Sequence, residues 1–174
     1  MVEVDKDKVV DIDGGKVKFP EGNVIYCGNQ KDATDLVASK APLGTVIVGY
    51  MAIAGDGGKA TVGYKGTATA GTGGTAIAGT GGTAIAGKYG TATAGHCGTA
   101  TAGYRGTVIA GRYGIAIAGY WGTATAGDYG TIQIKWYDNK TSKFRDIIGY
   151  VGENGIKANV PYVCNADGEL VEKK

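Results

Sequence analysis

Two sets of side chains in this sequence could do chemistry. His96 and Cys97 are neighbours and offer an imidazole beside a thiol, the pairing that activates a cysteine nucleophile. The second set combines aromatic rings with guanidinium groups and follows an eight-residue period. Its members are Tyr89, Tyr104, Arg105, Arg112, Tyr113, Tyr120, Trp121 and Tyr129. Tyr, Trp and Arg contribute most of the energy at many protein interfaces, so this set predicts partner binding, although the rings could also serve only to stack on each other.

Catalysis has less support than binding. Neighbouring side chains in an outward turn are expected to diverge, and no third group in the sequence is identifiable that would orient the imidazole of His96. Cys27, Cys97 and Cys164 are far apart, form no CxxC motif and accompany a single histidine. The sequence has no P-loop, no dinucleotide fingerprint and no acidic pair in a catalytic context. We therefore expect a non-enzymatic protein with no catalytic residues, no cofactor and no metal, whose thiols stay reduced.

The charge composition bears on partners and location. The protein has 18 basic and 16 acidic residues, a net charge of +2, which argues against nucleic acid and against a membrane surface. The first residues lack the basic and apolar regions of an export signal, and no apolar run is long enough to span a membrane. We expect a cytoplasmic protein, in a host cytoplasm if a phage encodes it, whose partner is a host protein or a second copy of itself.

The elements that would position these side chains are repeats. Glycine accounts for 33 of 174 residues, and eight consecutive octapeptides with the unit G-T-A-[T/I]-A-G-x-x run from residue 66 to residue 129. Four alternating residues between glycines are typical of one short strand and one tight turn, the unit of a β-solenoid. Glycine would supply a positive φ or a close backbone approach at each corner. Two units per coil, 16 residues, are favoured over three because a thin core suits two facing sheets.

The alternation within the unit separates an inner from an outer set. Counting Gly66 as position 1, positions 3 and 5 of the eight units hold only Ala and Val108, whereas the end copies place Lys59 and Gln133 at positions 2 and 4. Charge is expensive to bury, so positions 3 and 5 should point inward and form an alanine core. A 16-residue coil places Tyr89, Tyr104, Arg105, Tyr120 and Trp121 on one edge of the solenoid, and Arg112, Tyr113 and Tyr129 on the opposite edge.

The outward positions 2 and 4 hold only Thr and Ile in these units. Regular Thr-x-Thr rows on a flat sheet are the surface that ice-binding solenoids use, with rungs near 4.8 Å apart. The candidate ice-binding residues are Thr67, Thr69, Thr91, Thr93, Thr99, Thr101, Thr123 and Thr125. Ile interrupts the rows on both faces, and both residue types are simply good β-formers, so ice binding is an alternative rather than the leading hypothesis.

The repeat array is flanked by two regions of ordinary composition. Residues 1–43 predict an α+β capping module, with a hairpin around 13–15 and a short helix over 29–39. Residues 44–135 form the predicted solenoid, and 136–174 predict a β-rich C-terminal cap. The fold class expected is therefore all-β, a β-solenoid of octapeptide repeats with a cap at each end.

Two resemblances accompany this pattern. The stretch AGYRGTVIAGRYGIAIAGYWGTATAGDYGT resembles the octapeptide arrays of bacterial ice-nucleation proteins. The array followed by IQIKWYDN, YVGENGIK, PY and GELV is more similar to uncharacterised GTATAG-repeat proteins of phages, prophages and gut bacteria. The second resemblance implies a phage or mobile-element setting, a cytoplasmic location and no catalytic residues.

Together these observations give three hypotheses. The leading one is a binding scaffold that presents a flat Thr/Ile face and an aromatic-Arg edge to a macromolecular partner, as a phage-encoded host-inhibitory factor such as an anti-CRISPR would. The first alternative is an ice-binding protein. The second is a self-assembling virion component, a homo-oligomer joined through the Thr/Ile face.

Overall fold

The computed structural model describes residues 51–174 in full and, before them, only the backbone of short strands. These are β1 (Val2–Glu3), β2 (Val10–Asp13), β3 (Lys16–Lys18), β4 (Asn23–Val24) and residues 46–50 of β5 (Val46–Ala54). β2 and β3 pair antiparallel, which confirms the predicted hairpin, and β1 pairs antiparallel with β4. The helix predicted over 29–39 lies outside the described residues.

A solenoid of about five turns follows. Its strands are β5, β6 (Lys59–Ala70), β7 (Thr75–Ala78), β8 (Thr83–Ala86), β9 (Thr91–Ala94), β10 (Thr99–Ala102), β11 (Thr107–Ala110), β12 (Ile115–Ala118), β13 (Thr123–Ala126) and β14 (Thr131–Asp138). Each four-residue strand pairs parallel with the second strand along the sequence, as Thr99 does with Ile115. The coil is therefore 16 residues long, as predicted.

The strands form two faces around an alanine core. Face 1 consists of β7, β9, β11 and β13, and face 2 of β8, β10, β12 and β14, whereas the longer β5 and β6 contribute to both. Positions 3 and 5 of every repeat from 66 to 129 point inward, and their side chains are at most 4% exposed. The predicted alanine core is confirmed. It widens at its C-terminal end, where Ile132 and Ile134 are fully buried.

Glycine at positions 1 and 6 permits close approach between neighbouring segments. A Cβ on Gly119 would lie 2.6 Å from the carbonyl of Gly103 in the preceding coil, and a Cβ on Gly122 would lie 2.8 Å from the Cβ of Ala118. Neither glycine has a positive φ. Of the two explanations that the sequence left open, close approach applies at these positions, and the positive φ falls on position 8 instead.

The C-terminal region closes the stack with three further strands, β15 (Lys143–Tyr150), β16 (Tyr162–Cys164) and β17 (Leu170–Glu172). β15 pairs antiparallel with the whole of β14, and β16 pairs antiparallel with β13 on face 1. The first half of β14 continues the stack of coils, whereas residues 135–138 extend past the edge of the stack. These residues and the part of β15 that pairs with them form a projecting hairpin, which we call the arm. Within the described residues, no helix has the length and apolar character needed to cross a membrane.

Candidate partner-binding edge

The eighth residue of each repeat adopts a left-handed conformation at the solenoid corner. In the early coils this position is held by Gly73 and Gly81, with φ of 67° and 66°, and by Lys65, with φ of 53°. Arg105 and Trp121 occupy it in later coils with φ of 54° and 62°. A left-handed conformation costs a residue with a Cβ roughly 1–2 kcal/mol, but costs glycine almost nothing. The later coils thus carry large side chains at corners that glycine fits better.

These corners form two opposite edges. We define edge A as Lys88, Tyr89, Tyr104, Arg105, Tyr120 and Trp121, and edge B as His96, Cys97, Arg112, Tyr113, Asp128 and Tyr129. The eight predicted binding residues are therefore not one surface. Five of them meet on edge A, while Arg112, Tyr113 and Tyr129 meet on edge B, which is the distribution that a 16-residue coil requires.

Edge A is a continuous line of aromatic contacts. Ring centroids lie 5.6 Å apart for Tyr89 and Tyr104 and 6.2 Å apart for Tyr104 and Tyr120. The Arg105 guanidinium lies 4.8 Å from the ring centroid of Trp121 and 5.7 Å from that of Tyr104, within the range of cation–π attraction. Tyr89 and Trp121 are nevertheless more than half exposed. The edge is held together internally and still presents aromatic surface to solvent.

A ladder of backbone hydrogen bonds runs along edge A and stops at Trp121. The N–H of Tyr89 donates to the carbonyl of Tyr104 at 2.8 Å, and the N–H of Arg105 donates to the carbonyl of Tyr120 at 3.0 Å. Trp121 shares the same left-handed φ, and its N–H is the next backbone donor along this edge. It has no acceptor among the described residues, because the backbone leaves the coil path after β14 begins.

The arm adds further aromatic residues to edge A. The ring of Phe144 lies 5.6 Å from that of Tyr120 and 5.1 Å from that of Tyr137. Tyr120 thereby separates two depressions, both of which Lys135 also lines. A groove of about 500 Å³ lies on the face 2 side, lined by Ile117, Tyr104, Tyr120, Phe144, Gln133 and Asp146 among others. A pocket of about 340 Å³ lies at the end of the edge, lined by Tyr120, Trp121, Lys135, Trp136, Tyr137, Asn139, Cys164, Asn165 and Ala166.

The tip of the arm is fixed by the carboxylate of Asp138. It accepts hydrogen bonds from the Thr141 hydroxyl at 2.6 Å, the Arg145 Nε at 2.9 Å and the Lys140 N–H at 2.9 Å. The Thr141 hydroxyl contributes most to lowering the pKa of Asp138 to about 2, while partial burial opposes that shift. Farther along the arm, Lys135 pairs with Asp146 at 3.4 Å. The arm is therefore a positioned wall of the two depressions.

Edge B exposes two tyrosines, Tyr113 and Tyr129, as many aromatic residues as edge A exposes, but it ends without an arm. The rings of Tyr113 and Tyr129 stack with centroids 5.2 Å apart, and the Arg112 guanidinium lies 4.8 Å and 5.5 Å from them. Arg112 also donates a hydrogen bond to the Tyr113 hydroxyl at 3.3 Å. Because these residues contact each other, the cluster fits the alternative in which the rings only stack on each other and bind no partner. Edge A fits that alternative less well.

The thiol and imidazole on edge B do not diverge as expected. Cys97 Sγ lies 3.8 Å from His96 Nε2, a distance that suits a weak sulfur hydrogen bond. Both residues are exposed, and no carboxylate among the described residues forms an ion pair with His96. The expectation of diverging side chains is wrong, and the pair still lacks an orienting group. Cys97 and Cys164 are free thiols, and burial raises the pKa of Cys164 to about 11.

The candidate ice-binding threonines divide between the two faces. Thr67, Thr69, Thr99 and Thr101 lie on face 2, and Thr91, Thr93, Thr123 and Thr125 lie on face 1. Position 4 alternates between Thr and Ile from coil to coil on each face, so no two-residue-wide threonine row is continuous. Thr123 is in addition only 7% exposed, and the Lys173 ammonium donates to its hydroxyl at 3.1 Å.

Three aromatic residues of the site were not singled out from the sequence. Trp136, Tyr137 and Phe144 lie outside the repeat, and their approach to edge A depends on how far β14 continues beyond its coil. Lys135 and Trp136 continue the alternation of outward and inward positions that the repeat shows, and this alternation was the sequence signal for the extension of β14. No protein-family model matches the sequence, and no curated protein or solved structure matches it either.

Proposed function

We propose that this protein is a non-enzymatic binding scaffold that recognises another protein through edge A and the adjoining arm. The observation that carries the proposal is the replacement of glycine by Arg105 and Trp121 at left-handed corners. Gly73 fills the equivalent corner of an earlier coil, so the fold does not need a large side chain there. Backbone strain retained on exposed residues is typical of functional sites.

The shape of the surface supports a protein partner. Exposed aromatic residues in continuous contact, next to a groove of about 500 Å³, are typical of interaction sites and uncommon on the free surface of a monomer. The exposed residues Phe144, Ile148 and Tyr150 of β15 extend this apolar area along face 2.

Charge and ring geometry favour protein over nucleic acid. Among the described residues, Lys88 and Arg105 have no carboxylate within salt-bridge distance, so edge A offers two unpaired cations. That is few for binding a phosphate backbone, and Asp146 in the groove would repel one. The rings of Tyr89 and Tyr104 meet edge to face at 85° and do not form the parallel platforms on which successive bases stack. A partner with an acidic and apolar surface suits the edge best.

The test begins with a photo-crosslinking residue placed at Phe144, and in a matched protein at Tyr113 on edge B. We expect the first protein to capture a specific host protein and the second to capture none. The affinity of the captured partner is then measured for a variant with Tyr120→Thr and Trp121→Gly, which installs the Thr-Gly pair that Thr72 and Gly73 already place at this edge. Loss of two hot-spot residues should weaken binding by at least about 30-fold.

The same graft on edge B, Arg112→Thr with Tyr113→Gly, is the control and should leave the affinity unchanged. Equal losses for the two grafts, or no loss for the edge A graft, would refute the proposal. A role in host inhibition stays a prediction, to be tested by whether the captured partner is a component of a defence system.

A second candidate function, ice binding, draws on one column of face 1. Thr75, Thr91 and Thr107 occupy position 2 in three successive coils without interruption. The next residue of the column, Thr123, is buried beneath Lys173. Ice shaping by the concentrated protein, abolished by Thr91→Tyr and retained in the edge A graft, would support this candidate. Absence of any thermal hysteresis would exclude it.

A further inference from the structure

The pocket at the end of edge A has the properties of an anion site with aromatic walls. We infer that it binds a carboxylate of the partner protein, held against the N–H of Trp121 and beside Lys135. The inference rests on the proposed function, since it states what the partner would insert at this end of the edge. The carboxylate could belong to an acidic side chain or to the carboxyl terminus of the partner, which share this chemistry.

The first support is the unsatisfied backbone donor. Every earlier corner of edge A from Gly57 to Arg105 donates its N–H to a carbonyl of the next coil, at 2.8 to 3.0 Å. The N–H of Trp121 has no such partner among the described residues, although Trp121 shares the left-handed conformation of these corners with a φ of 62°. A ligand oxygen in the pocket would take the place that the next coil's carbonyl has elsewhere, which satisfies the donor.

The second support is the charge of the lining. None of the described residues that line the pocket carries a carboxylate, and Lys135 contributes an ammonium group. That ammonium pairs with Asp146 of the neighbouring groove at 3.4 Å, and because both side chains are nearly half exposed, a carboxylate in the pocket would share or replace that pair. Asn165 does not compete for a ligand, because its side chain is occupied by the N–H groups of Asp167 and Glu169 and by the Glu169 carboxylate. The neighbouring groove on the other side of Tyr120 contains Asp146 and is therefore less suited to an anion.

The third support is size and wall chemistry. A pocket of about 340 Å³ is at the small end of the range for ligand sites, and suits one side chain or one terminus rather than a folded surface. Tyr120, Trp121, Trp136 and Tyr137 provide aromatic walls for the apolar part of that segment.

The experiment is an NMR titration of the isotopically labelled full-length protein with three short synthetic peptides. They share one apolar sequence with a penultimate glutamine or glutamate. The first has the glutamine and a free terminal carboxylate, the second the glutamate and an amidated end, and the third the glutamine and an amidated end. The readout is the backbone amide of Trp121, with Gly111 at the opposite edge as an internal reference. We expect a carboxylate peptide to bind at least about tenfold more tightly than the uncharged one, and the first two arms identify its source.

Two variants separate this site from the rest of edge A. Asn139→Asp puts a carboxylate into the lining and should weaken carboxylate binding about tenfold or more, whereas Asn139→Ser should not. If all three peptides shift Trp121 equally, or if Asn139→Asp leaves binding unchanged, the inference is wrong. If Asn139→Asp leaves the affinity of the captured partner intact while the Tyr120→Thr, Trp121→Gly graft abolishes it, this inference fails and the proposed function stands. If the graft has no effect, the proposed function fails by itself.

Discussion

Along edge A, the early and late coils of this solenoid share one backbone and differ at their corners. Gly73 and Trp121 occupy the same corner of edge A, with φ of 67° and 62°, and the N–H of Gly73 donates to the carbonyl of Lys88 as that of Arg105 does to Tyr120. The glycine corner is relaxed and bare, whereas the tryptophan corner is strained and exposed. The repeated backbone therefore forms with or without a large corner residue, and the large residues of the late corners are the ones we propose for binding.

The largest expected effect concerns the glycines at which neighbouring coils approach closely. These glycines should tolerate substitution equally poorly in the early and the late coils. Gly79→Ala and Gly119→Ala would each bring a Cβ within 2.9 Å of the backbone of the preceding coil. Because backbone cannot move aside as a side chain can, we expect each change to lower the free energy of unfolding by about 3 kcal/mol in urea denaturation. Gly63→Ala is the control, since a Cβ there meets nothing within 4 Å. If Gly79→Ala is tolerated and Gly119→Ala is not, the early and late coils do not pack in the same way.

The next effect concerns the arm, which only the late half possesses. Its tip depends on ionised Asp138, whose folded pKa of about 2 lies below the ordinary value of an aspartate. A lowered pKa means that the stabilisation is complete above about pH 4 and is lost as the pH falls toward 2. We expect the amide signals of Lys140 and Thr141 to move over this range while those of Gly79 stay constant. Asp138→Asn should abolish the transition, and an unchanged transition in that variant would contradict this account of the tip.

The smallest effect isolates the strain at a corner. Cys97 has a φ of 54° and an exposed side chain, so Cys97→Gly should raise the free energy of unfolding by about 0.5 kcal/mol. Tyr113 has a φ of 55°, but its ring stacks on Tyr129, so Tyr113→Gly should lower stability by a similar amount. Thermal unfolding of both variants measures the difference. Destabilisation by Cys97→Gly would show that the large corner residues support the fold.

Much of the solenoid backbone, and which of its side chains are buried, could be predicted from the repeat. Lys59 and Gln133 occupy positions 2 and 4 of their units, where polar side chains can face solvent. This placement separates the outer threonines of positions 2 and 4 from the buried alanines of positions 3 and 5. The left-handed corner could not be predicted, because the residues at position 8 include Tyr, Arg and Trp and none of these types signals a positive φ.

The candidate site was only partly predictable. The coil length assigned Tyr104 and Tyr120 to one edge and Tyr113 to the other, as the structure confirms. The contact between Phe144 and Tyr120 has no local signal, since it depends on the direction in which the arm leaves the stack. The unpaired N–H of Trp121 likewise follows from where the coil path ends.

We propose that the aromatic corners of edge A serve binding and are dispensable for folding. The most direct test grafts Thr-Gly pairs onto edge A at Tyr104–Arg105 and Tyr120–Trp121 together, and measures both the unfolding free energy and the dissociation constant for the captured partner. Relieved strain offsets the lost ring contacts, so stability should stay within about 1 kcal/mol of the original while affinity falls by at least about 30-fold. A graft that unfolds the solenoid, or one that binds the partner as tightly as before, would contradict the claim.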